Sequence, residues 1–221
     1  FSFAMALVCR PTNIFIGFFV VSVLYKKIAE IFSKEKFLSY LVTALIAGTP
    51  IFFQMLTWKI LSGSWLYYSY ESAGFKYRTT PYLFSTLFSS LHGLFFWAPI
   101  LLFSVVGVAL RLKDLAYRKD RLLVALLLGG IFLWYANSSW HQWWFGDAFG
   151  GRAFLELSPL FILGFAFFFK RLFAQSMRWQ RSVLFLLSLC VIYTYSLMAC
   201  YIGHKIPRAD FFSLLDSNEE E

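Results

Sequence analysis

Long apolar runs that alternate with short basic connections constrain this chain more than any other feature of its sequence. Seven runs are apolar along most of their length, namely 1–9, 12–25, 37–58, 91–110, 122–135, 155–169 and 182–202. A helix that crosses a bilayer needs about 20 consecutive, mainly apolar residues, and the longer runs reach that length. The pattern predicts an all-α, polytopic transmembrane helix bundle with about six to seven membrane segments.

The composition excludes an ordinary soluble domain. Hydrophobic residues make up 59% of the 221 residues and charged residues only 14%, and the mean hydropathy is +0.64. The net charge of +8 lies mostly in short connections beside apolar runs, where positive charge sets membrane orientation, so we expect no nucleic-acid partner. Cys9, Cys190 and Cys200 lie singly in apolar runs, without the spacing of a metal site or a disulfide framework.

The basic residues predict which connections share a side of the membrane. Connections 26–36, 111–121 and 170–181 hold 13 of the 20 Lys and Arg residues, which places them in the cytoplasm. The turn at Arg10, the loops 59–90 and 138–152, and the tail that follows 202 then share the outer face. We expect residues 1–203 to form the membrane domain of a multi-pass protein and 204–221 an outer polar tail with a disordered end. The short loops favour a bacterial inner membrane, and an endoplasmic reticulum membrane stays open as the alternative.

The strongest site signal is the predicted outer loop 137–152, which reads NSSWHQWWFGDAFGGR. Indole faces stack on sugar rings, and the planar guanidinium of arginine binds phosphate bidentately. The candidate substrate-binding residues of this loop are Trp140, His141, Trp143, Trp144, Asp147 and Arg152. Alternatives remain open for two of these residues. Arg152 can pair with Asp147 or Glu156 or reach lipid headgroups. Asp147 can accept a proton, bind a divalent ion, orient a hydroxyl or serve as a turn residue.

Three further outer features carry weaker signals. Arg10 is followed by Thr12 and Asn13, which are ordinary helix-capping residues, so that turn has a structural explanation beside phosphate binding. The aromatic residues of loop 59–90 fit a sugar-binding platform or the aromatic belt of any membrane protein. His92 fits a structural hydrogen-bonding role as well as a substrate contact.

Three patches of the sequence together resemble the GT-C superfamily of membrane glycosyltransferases and are similar to protein O-mannosyltransferases and lipid A aminoarabinose transferases. They are the CRPTN turn around Arg10, the SSLHGLFFWAP segment at 89–99, and the WHQWWFGDAFGGR segment at 140–152 that precedes the Pro159 helix. The resemblance implies a GT-C-like transmembrane region and a polyprenyl- or dolichyl-phosphate sugar donor. It also implies inversion at the anomeric carbon and an acceptor protein, glycan or lipid on the outer face.

The same resemblance implies phosphate- or sugar-facing roles for Arg152 and, with less support, for Arg10, His92 and Trp140. In the family the catalytic acidic residue lies in the first outer loop, and no segment of this sequence matches that loop. The sequence also begins inside an apolar run without an initiator Met. We therefore expect a C-terminal fragment that is inactive by itself, with its catalytic residue upstream of Phe1 and a divalent metal as an open possibility.

Two other functions fit the same sequence. A transporter or channel needs ionisable or helix-breaking residues at mid-membrane depth, and Gly48-Thr49-Pro50 and Gly129-Gly130 interrupt two apolar runs. Close helix packing explains those glycines equally well. A non-catalytic membrane scaffold, anchored by its outer aromatic residues, is the second alternative.

Overall fold

A computed structural model describes residues 4–5, 14, 17, 34–67, 74–115 and 121–207. The predicted turn at Arg10, nearly all of the runs 1–9 and 12–25, and most of the predicted tail 204–221 lie outside the described residues. The roles predicted for Arg10 and for the N-terminal runs therefore stay predictions.

The described residues form helices joined by irregular segments, with no strand among them. The all-α prediction is thus confirmed for this part of the chain. The helices are α1 (Lys34–Ser62), α2 (Ser85–Phe88), α3 (Leu94–Trp97), α4 (Leu101–Leu115), α5 (Arg121–Ser139), a 3₁₀ helix (Arg152–Leu157), α6 (Ser158–Leu172) and α7 (Met177–Ile202).

Four of the described helices are long and apolar enough to cross a membrane. They span Leu38–Ser62, Leu122–Ser139, Arg152–Leu172 and Met177–Ile202, close to four of the predicted runs. Large apolar side chains such as Ile162 on α6 and Phe185 on α7 are exposed, as expected for surfaces that lipid covers. These helices indicate a multi-pass membrane protein.

The run 91–110, predicted as one span, is divided in the structure. Only Leu94–Trp97 and Leu101–Leu115 are helical, and Ala98 between them has φ −135° and ψ 67°. The cause is Pro99, because proline disfavours helical geometry in the residue before it. The 15 residues of α4 extend about 22 Å, less than the roughly 30 Å hydrocarbon core of a bilayer.

Proline inside α1 has the opposite outcome, since the helix continues across Pro50. Proline has no backbone N–H and leaves the carbonyl four residues earlier without its helical donor. That carbonyl belongs to Ile46, and the hydroxyl of Thr49 donates a 2.8 Å hydrogen bond to it. The Ile46 carbonyl therefore has a donor, and the Gly48-Thr49-Pro50 sequence does not break the helix.

The chain divides into two compact units, Phe1–Gly74 with Arg121–Gly129 and Phe75–Asp120 with Gly130–Glu221. The second unit contains α4 and α6, which approach each other closely through Ser104, Gly107 and Gly164. The hydroxyl of Ser104 donates to the carbonyl of Phe161 at 2.8 Å, and a Cβ on Gly107 would overlap the backbone of Gly164. Small residues are what permits such backbone contact between membrane helices.

Candidate functional site at one end of the second unit

The segment that follows Gly74 is joined to the C-terminal end of α5. The backbone N–H of Tyr77 donates to the carbonyl of Ser139 at 3.0 Å, and that of Tyr82 to the carbonyl of Ser138 at 2.9 Å. The last carbonyls of a helix lack helical partners, and these two receive theirs from the incoming segment. Two segments predicted to lie on the same side of the membrane are therefore in direct contact.

Buried polar side chains strengthen this junction. The hydroxyls of Thr86 and Ser138 are 2.9 Å apart, and the side-chain amide of Asn137 donates to the carbonyl of Ala153 at 2.8 Å. All three side chains are buried, and buried polar groups of this kind need such partners. They connect α2 to the end of α5, and the end of α5 to the 3₁₀ helix that begins at Arg152.

A buried aromatic cluster brings α3, loop 137–152 and the C-terminal end of α7 together. Trp97 is 1% exposed and meets Phe149 and Tyr201 edge to face, with ring centroids 4.9 Å and 6.0 Å apart. Ile206, beyond α7, belongs to the same cluster. The hydroxyl of Tyr201 also donates a hydrogen bond to the backbone carbonyl of Asp147.

His92 lies inside this cluster and is 4% exposed. Its ring stacks on Trp97, with centroids 5.6 Å apart and 23° between the planes. Its φ of 62° is uncommon for a residue with a side chain, so the turn at 90–93 holds His92 in an unusual backbone conformation. These contacts favour the structural interpretation of His92 over a direct contact with substrate.

Arg152 is exposed at the start of the 3₁₀ helix. Its Nη2 donates to the backbone carbonyl of Phe145 at 2.8 Å. Within the described residues it forms neither of the ion pairs that the sequence left open, with Asp147 or with Glu156. A guanidinium carries five N–H donors, and this bond uses one of them. The Phe145 carbonyl thus fixes Arg152 while the remaining donors stay available to an anion.

The tryptophans of the loop differ in their exposure. Trp143 is 6% exposed and stacks on Tyr82, with ring centroids 5.3 Å apart and 21° between the planes. Trp140 is half-buried and meets Phe75 edge to face at 5.2 Å. Tyr82, at 39% exposed, is thus more accessible to a sugar ring than Trp143 is. From the sequence, the sugar contacts were predicted for the tryptophans of the loop.

The remaining candidates are His141, Trp144 and Asp147. Trp144 is half-buried and packs edge to face on Trp143, with centroids 5.7 Å apart. His141 is half-buried beside Trp140, and its buried Nδ1 has no hydrogen-bond partner among the described residues. Asp147 is exposed. Within the described part of the chain, no three His, Cys, Asp or Glu side chains come together as a metal site.

No protein-family model, no curated protein and no solved structure matches this chain. The resemblance to GT-C glycosyltransferases therefore stays a prediction that depends on the three sequence patches. Two of them, 89–99 and 140–152, meet in the structure through the contact of Trp97 with Phe149. The third, around Arg10, lies outside the described residues.

Proposed function

We propose that this chain is the later part of a membrane glycosyltransferase with six to seven spans. It moves a sugar from a polyprenyl-phosphate donor to an acceptor on the extracytoplasmic face of a bacterial inner membrane. The observation that carries the proposal is Arg152, an exposed guanidinium that a backbone carbonyl holds in place and that no described carboxylate neutralises.

The position of Arg152 suits a phosphate attached to lipid. The residue begins the apolar helix Arg152–Leu172, which is long enough to cross a membrane, so its guanidinium belongs at the depth where lipid phosphates lie. A guanidinium fork binds two phosphate oxygens at once, which fixes the phosphate's orientation as well as its position. A lysine at the same place would supply charge without that geometry.

The chemistry assigned to Arg152 is stabilisation of the leaving group. Transfer breaks the bond between the anomeric carbon and the phosphate oxygen, and the bonding electrons leave with the phosphate. A fixed cation beside that oxygen stabilises the charge as it develops. A carboxylate that takes the proton of the acceptor hydroxyl or amine completes the reaction.

Sugar contacts are available beside the proposed phosphate site. The exposed ring of Tyr82 stacks on Trp143 and is held against it, as a platform for a sugar ring must be. The exposed carboxylate of Asp147 can accept a hydrogen bond from a sugar hydroxyl. This combination of aromatic walls and a few polar groups is typical of small-molecule sites.

Binding of undecaprenyl phosphate to the full-length natural protein in nanodiscs tests the proposal. Charge-assisted hydrogen bonds contribute about 1.5–3 kcal/mol each, and 1.4 kcal/mol is about tenfold in affinity. Arg152→Ala should therefore weaken binding by tenfold or more, and Arg152→Lys by less. Lys205→Ala, which removes another exposed cation near the end of α7, should bind as the wild type does.

The phosphate-free alcohol undecaprenol separates phosphate recognition from binding of the lipid chain. The wild type should bind it more weakly than the phosphate, and Arg152→Ala should no longer distinguish the two. Equal binding of the alcohol and the phosphate by the wild type would contradict the proposal.

A further inference from the structure

In the stretch 82–90 large apolar side chains are exposed and the serine and threonine side chains are turned inward, the inverse of the arrangement that water favours. From 79 to 110 the sequence contains no Lys, Arg, Asp or Glu. The exposed residues of 81–100 are Tyr82, Leu83, Phe84 and Phe88, and Phe84 reaches 74% exposure. Its serines and Thr86 are half-buried or buried. Such an inversion indicates that the surroundings of this surface are apolar.

Several polar groups of this stretch find their partners within the protein. The hydroxyl of Thr86 lies 3.0 Å from the carbonyl oxygen of Leu83 and 2.9 Å from the hydroxyl of Ser138, so it has hydrogen-bond partners on both sides. The indole N–H of Trp134 donates to the same Leu83 carbonyl at 3.1 Å, and the hydroxyl of Ser89 accepts the N–H of Leu91 at 2.9 Å. Internal satisfaction of backbone and side-chain groups is what a bilayer environment demands.

We infer that residues 82–88 form an interfacial membrane element, with Leu83, Phe84 and Phe88 inserted among the acyl chains of one leaflet. The partner is thus a lipid surface, and the element lies in the plane of the membrane rather than across it. The four-residue helix α2 is far too short to span, whereas a short apolar element at the interface needs no such length.

The contact with α5 sets the depth of the element. The Leu83 carbonyl accepts the indole N–H of Trp134, five residues or about 7.5 Å before Ser139, the last residue of α5. Tyr82 and Thr86 bind Ser138, about 1.5 Å from that end, so the element lies within about 7.5 Å of the end of α5. Elements that lie in the interface bury their apolar faces about 5–10 Å into the boundary between headgroups and acyl chains. Leu83 therefore lies at interfacial depth when the end of α5 lies at the membrane surface.

A protein partner fits this surface less well than lipid. Protein interfaces surround an apolar centre with a polar or charged rim, whereas 79–110 contributes no Lys, Arg, Asp or Glu to the surroundings of these side chains. The exposed rings of Phe84 and Phe88 pack on each other at 4.9 Å, and Phe88 packs on Phe95 at 5.4 Å. The result is a row of three phenylalanine rings on an element that contacts α5 through Trp134.

Spin-label accessibility in the full-length protein in nanodiscs tests the inference, with all natural cysteines replaced. The measured quantity is the ratio of collisions with oxygen, which enters the bilayer, to collisions with a water-soluble nickel chelate. This ratio should be higher for a nitroxide at Phe84→Cys than for one at Asp147→Cys. The ratio should be several-fold higher at position 84. A label at Leu189→Cys, near the midpoint of α7, provides the deep reference and should give a higher ratio still.

Phe88→Cys repeats the measurement at a second position, in case Phe84→Cys fails to fold. A ratio at 84 or 88 equal to that at 147 would place the element in water and overturn the inference. An immobile label shielded from both reagents would show a protein partner instead, and it would overturn the inference as well. None of these outcomes depends on whether the protein transfers a sugar.

Discussion

Tyr201, near the C-terminal end of α7, donates its phenolic hydrogen to the backbone carbonyl of Asp147, 54 residues earlier in the chain. Asp147 lies between Phe145, whose carbonyl binds Arg152, and Phe149, whose ring packs against Tyr201 with centroids 5.6 Å apart. A single side chain on α7 therefore holds the loop that positions the guanidinium.

Replacing this tyrosine tests how firmly the loop is held. Tyr201→Phe keeps the ring and its packing but removes the donor, so the free energy of unfolding should fall by about 0.5–1.5 kcal/mol, the net contribution of one hydrogen bond. Thermal unfolding in detergent measures the change. Tyr195→Phe, at an exposed position on the same helix, is the control and should leave the melting temperature unchanged. An equal effect of both substitutions would mean that the Asp147 contact does not stabilise the loop.

Contact between α4 and α6 predicts a strong effect from one added methyl group. A Cβ on Gly164 would overlap both the hydroxyl and the carbonyl of Ser104, so Gly164→Ala must push the two helices apart. Overpacking of this kind costs about 1–3 kcal/mol, which reversible unfolding in mixed micelles can measure. Gly48→Ala in α1 meets no atom within 4 Å and should be neutral or slightly stabilising. Unaltered stability of Gly164→Ala would show that the helices are not in close contact.

The Tyr82–Trp143 stack predicts different consequences for its two members. Trp143 is buried, so Trp143→Ala should destabilise the fold by about 3–5 kcal/mol, as removal of a core aromatic does. Tyr82→Ala should leave undecaprenyl phosphate binding unchanged and weaken binding of the sugar-bearing donor, because only the sugar would stack on the exposed ring. Calorimetry with the two lipids distinguishes these effects. Equal weakening for both lipids would remove Tyr82 from the sugar site.

Charge distribution predicts opposite sides for the two connections that flank the 3₁₀ helix and α6. A membrane-impermeant maleimide should label Gln142→Cys from outside intact cells, whereas Ser176→Cys should react only after the membrane is opened. Both positions are exposed. Labelling of both cysteines from outside would overturn the orientation taken from the basic residues.

Run length and hydropathy were sufficient to predict the described spanning helices, since an apolar run long enough to cross a bilayer has few alternatives to a helix. The division of 91–110 was missed although Pro99 is visible in the sequence, because proline near a helix start is compatible with a continuous helix. The apolar run alone therefore does not distinguish one helix over 91–110 from a helix that begins after Pro99.

The sequence predicted which loop contains the candidate site, but not the contacts or the burial of its side chains. The sequence selected Arg152 because it combines charge with aromatic neighbours, and the structure adds the Phe145 carbonyl that fixes it. Burial of Trp143 and the anchoring by Tyr201 depend on residues about 50–60 positions away in the chain. Hydrophobic periodicity reports local structure, so it does not reveal contacts between residues this far apart in the chain. A single sequence is therefore insufficient to predict them.

The most direct test of the account is sugar transfer from polyprenyl-phosphate donors by the full-length natural protein, with Arg152→Ala compared to Lys205→Ala. Loss of one fixed donor at a developing anion lowers kcat by about 10²–10³-fold. We predict a fall of that size for Arg152→Ala, a smaller fall for Arg152→Lys and wild-type rates for Lys205→Ala, with every variant still folded in a thermal unfolding experiment. Wild-type transfer by Arg152→Ala would contradict the account.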